Sequence, residues 1–352
     1  MKTKLVLAVM ITSFFLLNGC SNNDSVEESE MASKSKNDGS KGSSEIHRAY
    51  PKEEAEVLAT FGAIGASIME NSGTGYENMD ELISFHEYGP MFTEFNYDFN
   101  GNGFLTDDEG NEDHERMLFG EIVKQDGVKQ FAALPGTLKV AVYYGNVANL
   151  TFISDFVLDT NPLGEITVNN LITLLFVKTK GEWKMVHEHH SPLTVLPSTG
   201  DKPNHILSEF DLSSASAAQK EVYTTFRAIG ATIIANSGTG PENMDELISF
   251  HAYGKKFTEF NYDSEGNGYF FDSEGNEANE RAFIGNNKVT RFVEKPNTLN
   301  IAVYNGNVAN LTFISDLELE GGGTFNNLIT LLFVKTKGEW KMVHEHHSPE
   351  NH

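Results

Sequence analysis

The residues of this chain best suited to chemistry are histidines on one short stretch. Trp183 to His190 reads W-K-M-V-H-E-H-H. In an extended strand, side chains alternate between faces, so Trp183, Met185, His187 and His189 point one way and Lys184, Val186, Glu188 and His190 the other. Two imidazoles about 7 Å apart on one strand face, beside an aromatic wall, can bind an anionic or aromatic ligand. They can also act as acid and base near neutral pH. The plain alternative is a pair of hydrogen-bonded structural histidines. A metal there lacks an evident third ligand, because Glu188 and His190 face away. The same residues recur as Trp340, Met342, His344 and His346, so each set is expected to form one wall of a ligand pocket.

A second constellation is made of oxygen donors. Asp98-Phe-Asn-Gly-Asn-Gly-Phe-Leu-Thr-Asp-Asp-Glu109 fits the spacing of a calcium loop. Asp98, Asn100, Asn102 and Thr106 would donate side-chain oxygens, Glu109 would close the site, and Gly103 would take the sharp turn. The later counterpart offers Asp263, Glu265, Asn267 and Glu274, with Phe271 where a donor is wanted. A strand rather than a helix leads into both, so a glycine-rich hairpin loop is the competing reading. Calcium is the one cofactor this pattern suggests.

The elements that must position these residues come in two copies. Asn169 to Pro192 recurs letter for letter from Asn326 to Pro349, and Asn146–Asp155 recurs at Asn307–Asp316. Leu171 to Val177 is an apolar run of strand length, Lys180-Gly181-Glu182 a turn, and Trp183 to His190 the returning strand. Upstream, Ala55, Leu58, Phe61, Ile64, Ile68 and Met69 fall at helical spacing, ending near Asn71-Ser72-Gly73. A short helix follows, with Asn78 as its expected N-cap and Leu82, Ile83 and Phe85 on its apolar side. Strands are expected at Met91–Tyr97, Leu138–Tyr144 and Val147–Phe156. The second copy is shorter near 121–134 and 157–168, which places loops there.

Helix, helix, then a run of antiparallel strands is an α+β pattern, with helices packed on one face of a curved sheet. Leu171, Thr173, Leu175 and Val177 face one way and Ile172, Leu174 and Phe176 the other, so both faces are apolar. One lies on the helices and the other needs a second cover, most simply another sheet. Two copies in one chain could supply that cover for each other as an internal pseudo-dimer, or each could pair with another chain.

Composition narrows the partners. Lys+Arg is 26 against Asp+Glu 50, a net charge of −24. Such a chain is repelled by phosphate backbones, so nucleic acid is not an expected partner. Cys20 is the only cysteine, which excludes an internal disulfide and a catalytic thiol in the body of the protein. Lys2 and Lys4 precede an apolar run from Leu5 to Leu17, the form of an export signal. Leu17-Asn18-Gly19-Cys20 resembles a bacterial lipobox. That resemblance implies cleavage before Cys20, lipidation of its sulfur and a membrane anchor. Ser21 rather than Asp follows, which favours the outer membrane in a two-membrane cell. The expected organisation is a lipoprotein signal over 1–19, a flexible tether over 20–50, domains over 51–192 and 214–350, and a linker over 193–213.

Gly181-Glu182-Trp183-Lys184-Met185-Val186-His187-Glu188-His189-His190-Ser191 is similar to the closing strand of SnoaL-like domains, in the nuclear transport factor 2-like superfamily. It also resembles the end of the association domain of calcium/calmodulin-dependent kinase II. Gly145-Asn146-Val147-Ala148 and Gly306-Asn307-Val308-Ala309 fit the middle strands. The resemblance implies two tandem cone-shaped α+β barrels, each with a pocket between sheet and helices, and pairing through the sheet. Members include isomerases, cyclases, dehydratases and non-enzymatic binding or assembly modules, so the fold leaves activity open. A small-molecule ligand is the expected partner. The alternatives are a general-base enzyme using the pocket histidines and a non-catalytic scaffold.

Overall fold

The computed structural model describes residues 45–98, 100–194, 205, 210–263 and 265–350. The export signal, Cys20, most of the tether and most of the linker lie outside the described residues. Both copies belong to one compact unit. Among the described residues, no helix is long and apolar enough to cross a membrane.

The first copy opens with helix α1 (Pro51–Asn71), followed by the single-turn helix α2 (Asp80–Ile83). Strands β1 (Thr93–Tyr97) and β2 (Gly103–Thr106) form a hairpin, and helix α3 (Asp108–Met117) follows. Then come β3 (Val123–Ala133), β4 (Lys139–Tyr143), β5 (Val147–Thr160), β6 (Gly164–Val168), β7 (Asn170–Thr179) and β8 (Glu182–Pro192). The second copy repeats this order. Its helices are α4 (Ala217–Asn236), α5 (Asp245–Ile248) and α6 (Ser273–Asn286). Its strands are β9 (Thr258–Tyr262), β10 (Gly268–Phe271), β11 (Val289–Glu294), β12 (Asn300–Tyr304), β13 (Val308–Leu319), β14 (Thr324–Phe325), β15 (Asn327–Thr336) and β16 (Glu339–Pro349).

Each sheet is mixed and open rather than a closed barrel. The first runs β2-β1-β8-β7-β5-β3, with β1 parallel to β8. Long β5 bends the sheet. Its first half pairs with β4 and β7, its second half with β3 and β6. The outer strands β2 and β3 are thereby left as separate edges, and the cone stays unsealed.

Several expectations shift at this level. Asn78 is not the cap of α2; Met79 takes that position, and the Asn78 amide donates to the Thr74 carbonyl at 2.7 Å. The two places where the copies differ in length lie mostly in strands rather than loops: the first is chiefly β3, and the second holds the end of β5, a turn at 161–163 and β6. Helix α3 was not anticipated, because the residues it buries are Asn111, Glu115 and Arg116, which leave no apolar period to read.

The helix-side core of the first copy joins Val57, Ile64 and Ile68 of α1 to Leu150 and Phe152 of β5 and to Ile172, Leu174 and Phe176 of β7. The opposite face of the same sheet meets the second copy. Tyr143, Val147, Leu175 and Val186 pack there against Tyr304, Val308, Leu332 and Val343. Burying one such side chain is worth about 1.5–3 kcal/mol, so this seam holds the two copies together as an internal pseudo-dimer. The β1–β2 hairpin reaches over as well: the Tyr97 hydroxyl donates to the Pro349 carbonyl and, in the mirror position, Tyr262 to that of Pro192 at 2.7 Å.

Candidate functional site

The expected four-residue wall is broken in the middle. Leu175 pairs with His187 while Phe176 pairs with Met185, so Val186 is an extra residue in β8. A bulge of this kind resets the alternation. Trp183 and Met185 therefore lie in the helix-side core, and Val186 and His187 both turn to the seam between the copies. The same shift between Leu332 and Phe333 separates Trp340 and Met342 from His344 and His346. The eight residues do not form two pocket walls.

His187, His189, His344 and His346 are wholly buried and form two hydrogen-bonded chains across the seam. Nδ1 of His187 lies 2.9 Å from the Thr93 carbonyl, which can only accept. Nδ1 therefore carries the proton, and Nε2 accepts from the Thr330 hydroxyl at 3.0 Å. Having donated there, Thr330 accepts from His189 Nδ1 at 2.9 Å, and His189 Nε2 accepts from Ser348 at 2.8 Å. The mirror chain starts at the Thr258 carbonyl and runs through His344, Thr173 and His346 to Ser191. The Thr93 and Thr258 hydroxyls also approach Nδ1 of His187 and His344, at 2.8 and 2.7 Å, and along both chains donors match acceptors only if all four rings are neutral. Burial also disfavours charge: His187 is pushed down to about 4, His344 to about 3, and His189 and His346 well below the usual range. His189 and His346 stack at a centroid distance of 3.6 Å, where two charges would repel. With both ring nitrogens engaged and no exposure, these imidazoles are placed as seam residues rather than as accessible bases.

The oxygen-donor loop takes a different shape from the one its spacing suggests. It is the turn of the β1–β2 hairpin, and the Asp98 carboxylate accepts from the amides of Asn100 and Asn102 at 2.8 and 2.9 Å. Asp263 does the same for Glu265 and Asn267. Positive φ falls on Gly101, at 77°, and not on Gly103. Thr106 ends β2, and Glu109 and Glu274 lie in the first turns of α3 and α6. Gly103 is glycine for another reason: a Cβ there would come within 2.7 Å of Leu328 Cδ1 in the other copy.

A polar cluster that sequence reasoning missed lies on the helix side of β8. His86 follows α2 and is fully buried, its Nδ1 3.3 Å from the Ile83 carbonyl. Its Nε2 is 3.1 Å from Glu188 Oε1 and 3.6 Å from Glu115 Oε2. Asn111, one turn before Glu115 on α3, donates to Glu188 at 3.1 Å and to Glu94 at 3.0 Å. His190 holds the other oxygen of Glu188 at 3.0 Å. Tyr88 stacks on His86 at 5.0 Å, and Phe92 meets its edge. The second copy repeats the group as His251, Glu280, Glu345, Asn276, Glu259 and His347. The helical spacing of Asn111 and Glu115, and of Asn276 and Glu280, is the signal that could have found it.

Electrostatics in the cluster is set by burial and by crowding of like charges. Burial opposes the charge on His86, but Glu115 and Glu188 outweigh it and raise the imidazole to about 9. Burial lifts Glu115 to about 7, with Glu188 and Glu94 adding to the effect. Glu188 goes the other way, held ionised against burial by His190 and His86. The copies differ at one neighbour. His114 lies 3.6 Å from Glu94 and keeps it below its ordinary value. Asn279 stands in the corresponding place of the second copy, and Glu259 rises to about 7 through burial and the charge of Glu345.

Two hollows lie elsewhere on the molecule. One, of about 230 Å³, lies at the seam and is lined by Lys139, Asn149, Lys255 and Lys256. The larger, about 530 Å³, runs between α4 and the β15–β16 hairpin of the second copy, lined by Lys220, Glu221, Thr224, Phe250, Trp340 and Lys341.

Two α+β units, each with helices on one sheet face and the other face paired with its twin, define a fused domain pair. Comparison with known proteins agrees. The SnoaL-like domain family matches residues 104–195 and 273–351, so the chain carries two SnoaL-like domains in tandem. Among solved structures, the hub homology domain of calcium/calmodulin-dependent kinase II from Chlamydomonas reinhardtii is similar at 20% identity. That match covers 40% of this chain and 98% of that one, with a TM-score of 0.29. The association domain of the C. elegans kinase is 15% identical over 40% of this chain and 95% of its own, TM-score 0.30. An NTF2-like protein of unknown function from Shewanella oneidensis is 14% identical over 37% and 97%, TM-score 0.29. No curated protein matches the chain.

Proposed function

We propose that this chain is an exported, lipid-anchored binding protein whose fused SnoaL-like pair takes up a small, partly apolar molecule. The observation that carries the reading is the groove beside Trp340. Its volume of about 530 Å³ is that of a small-molecule site, and its lining sets Phe250 and Trp340 among the charged side chains Lys220, Glu221, Glu339 and Lys341, which suits a ligand with both apolar and polar parts. Phe250 and Trp340 line it with apolar side chains. Lys220, Lys341 and Glu221 supply orientation, Glu221 being fixed by the Trp340 indole N–H at 3.1 Å. The buried seam supports binding over catalysis by the four histidines, since their strand is committed to pairing. The anchor rests on the apolar run Leu5–Leu17 and the Leu17-Asn18-Gly19-Cys20 motif that closes it.

The test is native mass spectrometry of the protein taken from its own host. A bound small molecule is expected, and it is expected to be lost from Thr224→Trp, which fills the groove from its exposed rim. Retention of the molecule by that variant overturns the groove as its site. For the anchor, Cys20→Ser is expected to move the protein from the membrane fraction to the soluble exported fraction; a variant still in the membrane fraction sinks the lipid reading.

A further inference from the structure

We infer that each domain holds a divalent transition-metal ion of the zinc type, ligated by His86, Glu115 and Glu188 in the first copy and by His251, Glu280 and Glu345 in the second. The site is separate from the groove and does not depend on it.

Four observations converge. First, one ligating atom from each residue of a triad lies within 4.8 Å of the other two, in both copies. The Nε2–Oε distances are 3.1 and 3.6 Å in the first copy and 3.0 and 3.5 Å in the second. Ligands held at about 2.0–2.2 Å around one zinc ion lie about 3.0–3.5 Å from each other, so the spacing matches the edges of a coordination shell.

Second, a carboxylate oxygen in each triad is left over. Glu115 is 9% exposed, yet its Oε2 is buried without a hydrogen-bond partner, and the same is true of Glu280 Oε2. An unpaired buried acceptor is costly, and a cation removes the cost. Third, the imidazole is set for ligation. His86 Nδ1 faces the Ile83 carbonyl and His251 Nδ1 that of Ile248, both at 3.3 Å. A carbonyl can only accept, so it holds a proton on Nδ1 and leaves Nε2 as the nitrogen facing the carboxylates, where the ion would displace the proton that Nε2 shares with the Glu188 or Glu345 carboxylate. This is the usual outer-shell arrangement of a metal-bound histidine.

Fourth, the strand glutamates are braced. Glu188 Oε1, the oxygen facing His86, also accepts from Asn111 while its Oε2 faces His190, and Glu345 Oε1 accepts from Asn276 while its Oε2 faces His347. Such bracing holds a ligand in place rather than letting it swing to solvent. Charge also balances, since one dication offsets two carboxylates beside a neutral imidazole. The imidazole nitrogen selects against calcium and magnesium, which prefer all-oxygen sites.

The test uses the full chain stripped with a chelator, dialysed against zinc chloride and assayed for zinc by elemental mass spectrometry. Two equivalents per chain are expected. The double substitution Glu115→Gln/Glu280→Gln keeps side-chain shape and removes the unpaired anionic oxygen, and it is expected to weaken zinc binding at least tenfold. Its melting curve in chelator is expected to match that of the stripped wild type, which shows that the fold survives. His86→Ala alone is expected to leave one equivalent. No uptake by the stripped wild type overturns the inference, as does undiminished uptake by the double variant. Displacement of zinc by an equal concentration of calcium overturns the role of the imidazole nitrogen. Zinc uptake unchanged in Thr224→Trp is expected and keeps this result separate from the groove.

Discussion

Thr330 and Thr173 are the pivots of the seam. Each hydroxyl donates to one imidazole of the other copy and accepts from a second. Thr330→Val keeps the shape and strands two ring nitrogens in a dry interface. With about 1–3 kcal/mol for each unsatisfied group, a loss of roughly 2–4 kcal/mol in urea unfolding is expected; an unchanged midpoint contradicts a threonine that donates to one ring and accepts from the next. The same chain fixes a pH response. The folded state keeps His187 neutral down to about 4 and His344 to about 3, whereas an unfolded histidine takes a proton near 6.5. Between those values the unfolded state binds more protons, so stability is full above pH 6.5 and falls toward pH 4. His187 alone accounts for on the order of 3 kcal/mol by pH 4. Urea titrations of chelator-treated wild type and of His187→Gln at several pH values check this by difference, because Glu115 and Glu259, raised to about 7, titrate with the opposite sign in the same window. A difference that stays constant across the window contradicts a neutral His187.

At the scale of elements, the hairpin β1–β2 is the seam's outer clasp. Gly103 sits against Leu328, and Gly268 sits 2.4 Å, for an added Cβ, from Leu171 Cδ1. Gly103→Ala and Gly268→Ala are each expected to destabilise by about 1–3 kcal/mol through overpacking, read as a lower melting temperature. No change would place the close approach elsewhere. These glycines also show what a sequence conveys. The two-faced apolar strand Leu171–Val177, helix α1 and the need for a second cover were all legible, because each rests on hydrophobic period. The bulge at Val186 was not, since one extra residue in a strand leaves no trace in composition yet swings His187 from pocket to seam. Helix α3 was hidden for a related reason: its buried face is polar, and Asn111 and Glu115 are held by His86, Glu94 and Glu188 from distant parts of the chain. Gly103 fitted a calcium loop by spacing, while in three dimensions it answers to Leu328.

For the molecule as a whole, the seam joins like to like. Residues 143, 147, 173, 175, 186, 187, 189 and 191 meet the counterparts of the same set, at a shift of 161 or 157 positions, the self-complementary geometry of a two-fold dimer. The fragment 45–192 on its own is therefore expected to dimerise, burying Leu175, Val186 and its histidines against a second copy. Analytical ultracentrifugation should give twice the fragment mass, and a stable monomer over micromolar concentrations would contradict the pairing. In the intact chain the partner is always attached, so pairing does not depend on protein concentration.

Covalent fusion has a further effect that begins at His114. In a dimer of identical chains, any substitution appears on both sides at once. Here His114 faces Glu94 while Asn279 stands beside Glu259, and the two glutamates differ in proton affinity as a result. One molecule can thus carry two related polar clusters of unequal acidity, and either can drift while its twin retains the original chemistry.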